Sequence, residues 1–459
     1  MRRVATGIVR RLTEAGYTAL FAGGCVRDMV RGVEPHDYDI ATTATPEDVQ
    51  RLFPKTIPIG AQFGVVLVLE NDHQFEVATF RTDEAYVDGR RPTSVHYGTP
   101  EQDAQRRDFT INGMFYDPLT DKILDYVGGQ ADIARKLVRT IGDTRQRFAE
   151  DKLRLLRCVR FASNFGFEIE PATFAAVREM AAQIGVVSAE RICDELVKIF
   201  TRPNAGRGLV LLDESDLLQQ ILPEVAAMKD VEQPPEFHPE GDVFQHTKLM
   251  LDLMSEAARV DPWPPLAPPK AGKPRPSEAR IVLALSVLLH DVGKPPTFER
   301  APDRIRFHEH DKIGAEMAEK ILRRLRFPND VIEKVCICVG EHMRIRNVQD
   351  MRPAKLKRII ARETFADELE LHRLDCLASH GNISNCEFLR AKASELPPEV
   401  LKPAPLATGH DLMAIGFAQG PLLGQVLREL EELQLEERLH SREEALAYAR
   451  RRLGSNPSS

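Results

Sequence analysis

Apolar positions recur at helical spacing over residues 4–15, then gather into a short run, Tyr17–Ala22, that stops at Gly23-Gly24. A brief continuous apolar run ended by glycines predicts a strand. A helix over Val26–Arg31, a strand over Tyr38–Ala41 and a helix over 46–53 follow, the last with Pro46 where a first helical residue would sit. Two β-rich runs, Gly64–Leu69 and Gln74–Phe80, flank Glu70-Asn71-Asp72-His73. They predict a hairpin whose turn is not one of the tight two-residue types. Residues 82–105 are polar and rich in Asp, Gly, Arg and Pro, the pattern of a mobile loop.

From about residue 145 the period becomes helical. Ser188 is a candidate cap for a helix over 187–200, although Arg191 three residues on leaves the capping box incomplete. Prolines crowd 232–240 and 261–277, which predicts loops or linkers. Residues 241–390 are helical with histidines spaced through them, and Glu429–Arg452 reads as one charged helical stretch. The expected class is α+β. A head over 1–145 with a small mixed sheet precedes an all-α neck over 146–230, a helical domain over 241–390 and a helical tail over 400–459.

The chain has 459 residues, 43% hydrophobic and 29% charged, which fits two to four folded domains and excludes disorder throughout. Its 62 Lys and Arg against 69 Asp and Glu give a net charge of −7, so a nucleic-acid surface would have to be local. Two such places occur. Residues 131–160 hold nine Lys/Arg and four acids, and 343–362 hold seven Lys/Arg and one acid. No apolar run is long enough for a membrane span, and Met1-Arg2-Arg3-Val4 lacks a secretion-signal core. Seven scattered cysteines without a C-x-x-C pattern favour reduced thiols, and a cytoplasmic location is expected.

Candidate chemistry begins at Gly23-Gly24-Cys25-Val26-Arg27-Asp28, a glycine turn between strand and helix. Gly24 would let phosphates approach the backbone, and the Arg27 fork could clamp them. Asp37 and Asp39 follow, two apart on an expected strand and therefore on one face. Adjacent carboxylates repel unless a cation lies between them, and Mg²⁺ takes oxygen ligands shared with substrate phosphates. Glu76 is a possible third carboxylate.

These residues resemble the nucleotidyltransferase head, specifically that of the class II tRNA nucleotidyltransferase and bacterial poly(A) polymerase family. Further strings match in order: Arg106–Gly113 (RRDFTING), Asp117-Pro118 with Asp125 and Gly128-Gly129, Glu150–Phe161 (EDKLRLLRCVRF), and Ser188–Arg191 with Glu195. The match covers about 17–225. The resemblance implies catalysis at Asp37 and Asp39 with Mg²⁺, triphosphate and sugar binding by Gly24, Arg27 and Arg107, and base reading by Asp151 and Arg154. Arg157 and Arg160 would hold phosphate or neighbouring residues. A pair three apart on a helix can present an acceptor and a donor to one base edge. Asp88-Gly89-Arg90-Arg91-Pro92 is similar to the flexible loop of family members that add the terminal A.

The order His246, His290-Asp291, His310, His342, Asp375 resembles the HD phosphohydrolase superfamily, which is all-helical. His308 competes for the place of His310. The resemblance implies one or two divalent metals, with Mn, Ni, Fe or Mg as candidates, in a domain that either hydrolyses phosphate esters or serves as an RNA-binding scaffold. The whole pattern implies a CCA-adding enzyme using CTP, ATP and tRNA. Alternatives are a poly(A) polymerase or A-adding enzyme of the same family, or an HD-type phosphohydrolase or RNA-binding module. No membrane and no obligate protein partner are expected.

Overall fold

The computed structural model describes residues 1–60, 64–83, 95–257 and 278–454. The chain divides into two compact units, Met1–Ala226 with Arg324–Arg326, and Ala227–Arg323 with Phe327–Ser459.

The first unit is built on strands β1 (Ala19–Ala22), β2 (Asp39–Thr42), β3 (Thr56–Gly60), β4 (Val65–Glu70), β5 (His73–Thr79), β6 (Arg81–Asp83), β7 (Val95–Tyr97), β8 (Phe115–Asp117) and β9 (Lys122–Leu124). Seven of them form one mixed sheet in the order β3-β4-β5-β2-β1-β8-β9, and β6 pairs with β7 separately. Every residue of β1 is buried, as a continuous apolar run requires. β1 pairs antiparallel with β2, setting Ala22 opposite Asp39, and β2 runs parallel to β5 with Ile40 opposite Val77. That register brings Glu76 beside Asp39 on the same face.

Three local expectations are corrected. The β4–β5 hairpin closes with Glu70 paired to His73, so its turn is the two-residue Asn71-Asp72. Both have positive φ, 49° and 60°, the conformation of a tight primed turn that Asn and Asp tolerate. The segment read as a loop over 82–105 contains β6, β7 and helix Pro100–Gln105, the last fixed by a Thr99–Gln102 capping box. Asp88–Pro92 and the proline run 261–277 lie outside the described residues. Finally, β2 begins at Asp39, so Asp37 lies just before the strand. Alternation nevertheless holds, with Tyr38 buried against Phe21 at 5.0 Å while Asp37 and Asp39 are open.

The helical part of this unit includes Thr144–Glu150, Leu153–Phe165, Pro171–Met180, Ala189–Phe200 and Ala205–Glu214. Leu153–Phe165 buries Leu155, Leu156, Cys158, Val159 and Ala162. The Glu150–Phe161 string is not one helix. The chain turns extended at Asp151 (φ −147°, ψ 107°), between two helices. Ser188 precedes Ala189–Phe200 but makes no side-chain cap, although its carbonyl accepts from Arg191 and Ile192.

The second unit is almost wholly helical. His246 lies on Val243–Ala257, His290 follows Glu278–Leu289, His310 opens His310–Arg324, His342 follows Asn329–Glu341, and Asp375 lies on Phe365–Ala378. A tail of Gly409–Ala414, Pro421–Leu435 and Arg442–Gly454 has its own core around Leu412, Phe417, Val426 and Leu430. The stretch expected as a single helix over 429–452 is broken at 436–441, where Glu437 has φ 59°.

Candidate functional site

A cleft of about 1040 Å³ opens in the first unit. Gly23 and Gly24 line it, together with Arg27, Asp37, Asp39, Arg107, Asp151, Arg154, Arg157 and Arg160. Every residue expected above to act in catalysis or nucleotide binding, Glu76 excepted, thus faces one space. Gly23 has φ +71°, and a Cβ there would lie 3.1 Å from Arg107 Nη1, so turn and close approach both favour glycine.

The carboxylates and the guanidinium groups are held very differently. Asp39 is accessible through the cleft yet deep among protein atoms. Burial first, then the charges of Asp37 and Glu76, push its carboxyl up to about 7, with Arg107 opposing. The charges of Asp37 and Glu76 act on Asp39, and such a carboxylate set fits a divalent cation with oxygen ligands.

The guanidinium groups are anchored. Arg27 donates two bonds to Asp28 (2.9 and 3.0 Å) and one to Asn112 Oδ1 (2.9 Å). Arg107 Nε donates to Asp103 (3.1 Å) and Nη1 to the Asn112 carbonyl (3.2 Å). Arg157 binds the buried Asp108 through Nε at 2.8 Å and through Nη2. Burial would raise the Asp108 pKa, but Arg157 and Arg154 outweigh it and hold the carboxyl well below the usual range. Arg160 pairs with Glu195 at 3.1 Å and lies over Phe161, and burial pulls its guanidinium down to about 10.

Asp151 and Arg154 do not pair with each other. Asp151 accepts two bonds from Arg191, 3.1 Å to Oδ1 and 2.7 Å to Oδ2, and one from Leu153 N–H. Arg154 Nη1 donates to Glu150 (2.6 Å) and to the Arg147 carbonyl (2.8 Å), and Nη2 to the Arg106 carbonyl (3.3 Å). Asp103, Asp108, Asn112, Glu150 and Arg191 were not assigned these roles from sequence. Several sit inside the matched strings; Asp103 and Glu150 pair within four residues, whereas Asp108, Asn112 and Arg191 reach partners distant in the chain.

The same distant partners correct the charge count over 131–160. Arg135 and Arg139 pair with Asp132, Arg145 with Glu179, Arg147 and Arg154 with Glu150, Arg157 with Asp108 and Arg160 with Glu195. Three of those acids lie outside the segment, while Arg191 from outside it takes Asp151, so part of the apparent excess is neutralised. In 343–362, Lys357 is buried against the Leu435 carbonyl and Glu437, and Arg362 pairs with Glu341 and Glu368.

The second unit gathers the histidines. His310 and His342 Nε2 lie 3.5 and 3.9 Å from Asp291 Oδ1, His290 Nε2 lies 3.1 Å from Asp291 Oδ2, and His246 Nε2 lies 3.2 Å from Asp375. His308 is exposed, beside Glu299. Gly293 makes the approach possible, because a Cβ there would fall 2.2 Å from the His310 carbonyl. The Nδ1 atoms of His290, His310 and His342 face the carbonyls of Val287, Phe307 and Val339 at 2.9, 2.9 and 2.6 Å. Carbonyls only accept, so each Nδ1 carries hydrogen and a neutral ring turns its Nε2 lone pair inward. Burial pushes His342 down to about 4 despite Asp291. The His310 and His342 Nε2 atoms then face each other at 3.3 Å, lone pair to lone pair, an arrangement that fits a shared cation. Among the described residues three groups have metal-ligand spacing, His238–Glu240–His246, His246–His290–Asp375 and Asp291–His310–His342. Sequence reasoning missed Glu240, which accepts from His246 Nδ1 at 2.5 Å, and Lys294, which lies 2.7 Å from Asp291.

The comparisons follow this division. Family models match in chain order: the poly A polymerase head domain over 19–139, an RNA and SrmB-binding site of polymerase A over 166–229, the HD domain over 243–371, and tRNA nucleotidyltransferase domain 2 over 310–449. The chain therefore carries a nucleotidyltransferase-type head domain and an HD domain. Its domains match, in order, those of poly(A) polymerase and tRNA nucleotidyltransferase models. CCA-adding enzymes of Geobacillus sp. WCH70 and Streptococcus mutans are 44% and 42% identical over 46% and 45% of this chain. Those matches span about half the length of the relatives, 53% and 51%. The Bacillus stearothermophilus CCA-adding enzyme crystallised with CTP is similar over 99% of this chain and 98% of its own, with 27% identity and a TM-score of 0.72. The Thermotoga maritima CCA-adding enzyme complexed with tRNA shares the fold over 98% of this chain and 94% of its own (20% identity, TM-score 0.57). No described helix is long and apolar enough to cross a membrane.

Proposed function

We propose that the protein is a CCA-adding nucleotidyltransferase, transferring CMP and AMP from CTP and ATP to the 3′ end of tRNA with release of pyrophosphate. One observation carries this reading. A single cleft presents the open carboxylates Asp37 and Asp39 together with the anchored pair Asp151 and Arg154. Asp37 and Asp39, with Glu76 beside them, would hold Mg²⁺. When bound, Mg²⁺ supplies Lewis-acid activation of the RNA 3′-hydroxyl and neutralises the leaving pyrophosphate. Arg27 and Arg107, held by Asp28, Asn112 and Asp103, orient the triphosphate from fixed positions. Asp151 and Arg154 stand where a nucleic-acid template would otherwise be needed, and the protein itself selects the base.

The test uses purified protein with tRNA transcripts lacking CCA, lacking only the terminal A, or complete, and CTP and ATP singly and together. Addition of three nucleotides that then stops is expected. Unlimited A on unrelated RNA would overturn the reading in favour of a poly(A) polymerase.

A second reading concerns the HD domain alone. The facing Nε2 atoms of His310 and His342 favour a divalent metal there, Mn²⁺, Ni²⁺, Fe²⁺ or Mg²⁺, and with it hydrolysis of phosphate esters. Metal-dependent cleavage of a chromogenic phosphodiester that is lost in H290A/D291A, with CCA addition retained, is the expected result. No hydrolysis with any of the four metals would leave the domain as scaffold.

A further inference from the structure

Asp151 is more constrained than a base-reading carboxylate needs to be. A carboxylate offers about four acceptor positions. Arg191 occupies one on each oxygen, and Leu153 N–H takes a second on Oδ1. One acceptor position, on Oδ2, is left among the described residues. Arg154 is constrained in the same way. Both Nη1 hydrogens and one Nη2 hydrogen are committed, which leaves two donors, on Nε and Nη2.

One acceptor and two donors discriminate among the four bases. Cytosine shows a donor (N4–H) and two acceptors (N3 and O2), and satisfies all three. Adenine shows a donor (N6–H) and one acceptor (N1), and satisfies two without conflict. Uracil places its N3–H donor between two acceptors, so an acceptor at the end of the row meets a carbonyl. Guanine shows one acceptor and two donors, and one acceptor position cannot serve both. A buried polar group facing a like group is what makes such discrimination large.

We infer that Arg191 is a positioning residue that sets nucleotide selectivity by limiting Asp151 to one outward acceptor. Its own position is fixed. The helix Ala189–Phe200 that carries it also carries Glu195, which is buried and held by Arg160 from Leu153–Phe165. One helix turn separates the anchor from the residue that grips Asp151. Both Arg191 nitrogens are needed for the two-point grip, and a lysine could hold only one oxygen.

This inference rests on the proposed nucleotidyl transfer, and the experiment separates the two. kcat/KM is measured for CTP, ATP, UTP and GTP on tRNA lacking CCA and on tRNA lacking the terminal A, with the parent, Arg191→Lys and Arg191→Met. Melting temperatures and tRNA binding are measured on the same preparations. The expected result is at least a tenfold fall in the CTP-to-UTP and ATP-to-GTP ratios in Arg191→Met, with partial recovery in Arg191→Lys. A uniform loss for all four nucleotides with unchanged ratios would make Arg191 merely structural and overturn the inference. A parent unable to transfer CMP or AMP would instead overturn the proposed function. If Arg191→Met does not fold, the ratios of Arg191→Lys decide alone.

Discussion

The head cleft and the histidine cluster solve the same problem, gathering polar groups in a folded interior, by opposite means. In the head, carboxylates are left open and every named guanidinium is tied to a carboxylate, a side-chain amide or a backbone carbonyl. In the HD domain, the rings of His290, His310 and His342 are tied to backbone carbonyls three residues back, and their inward atoms face one another and Asp291. The first arrangement adds to near neighbours such as Asp28 and Glu150 partners scattered along the chain, Asn112 and Asp108 among them. The second is local, because each ring reaches its own i−3 carbonyl, His290 and His342 just after a helix and His310 at the start of one. Mutations should therefore spread their effects in the head and confine them in the HD domain.

The largest effect should come from Asp39→Ala. Removing one of two carboxylates from a metal-assisted transfer site should lower CMP incorporation on the order of 10³-fold or more. Gel-shift affinity for tRNA should survive, because phosphate contacts are made by cationic and hydrogen-bonding groups and do not need this carboxylate. Metal-dependent phosphodiester cleavage by the HD domain should not change. Undiminished incorporation would remove Asp39 from the site, and a parallel loss of cleavage would dissolve the contrast between the two regions.

The contrast also explains what was legible in the sequence. The strand–glycine–helix start, the Asp37/Asp39 alternation and the order of the histidines depend on neighbours in the chain, and periodicity carries such information. The Asn71-Asp72 turn was misread because only backbone angles distinguish a two-residue loop from a four-residue one. The helix break at Asp151 was missed because the run around it has helical composition throughout. The charge count over 131–160 overstated the free charge for a deeper reason. Glu179, Asp108 and Glu195 come from 19 to 35 positions beyond the segment's end or from before its start, and no window over a linear sequence sees them.

Asp108→Asn tests the scattered half of the comparison. Breaking a buried pair by removing one partner costs roughly 3–5 kcal/mol, because Arg157 keeps its charge without a counter-charge. The pH dependence has a definite sign. The folded-state pKa of Asp108 is depressed, so its stabilisation is full above the unfolded-state value of 3.8 and fades as pH falls below it. The gap in melting temperature between parent and Asp108→Asn should be widest near neutrality and should narrow below pH 4. A gap independent of pH over that range would mean that the Asp108 charge does not stabilise the fold.

The smallest effect tests the local half at the one place where it departs from its own pattern. His246 turns its Nδ1 to the Glu240 carboxylate instead of a backbone carbonyl. A carboxylate behind an imidazole fixes the ring and raises the basicity of its far nitrogen, and loss of such partners typically lowers metal affinity by about 10–100-fold. Glu240→Gln keeps an acceptor in place but removes the charge. It should therefore weaken Mn²⁺ binding measured by calorimetry toward the lower end of that range. His310 and His342 keep their carbonyl partners in this variant, so loss of all binding would show that the two ligand groups share one ion and do not act separately. Unchanged binding would place His246 outside the metal site. CMP incorporation should be the same as in the parent, since no residue of the head cleft is altered.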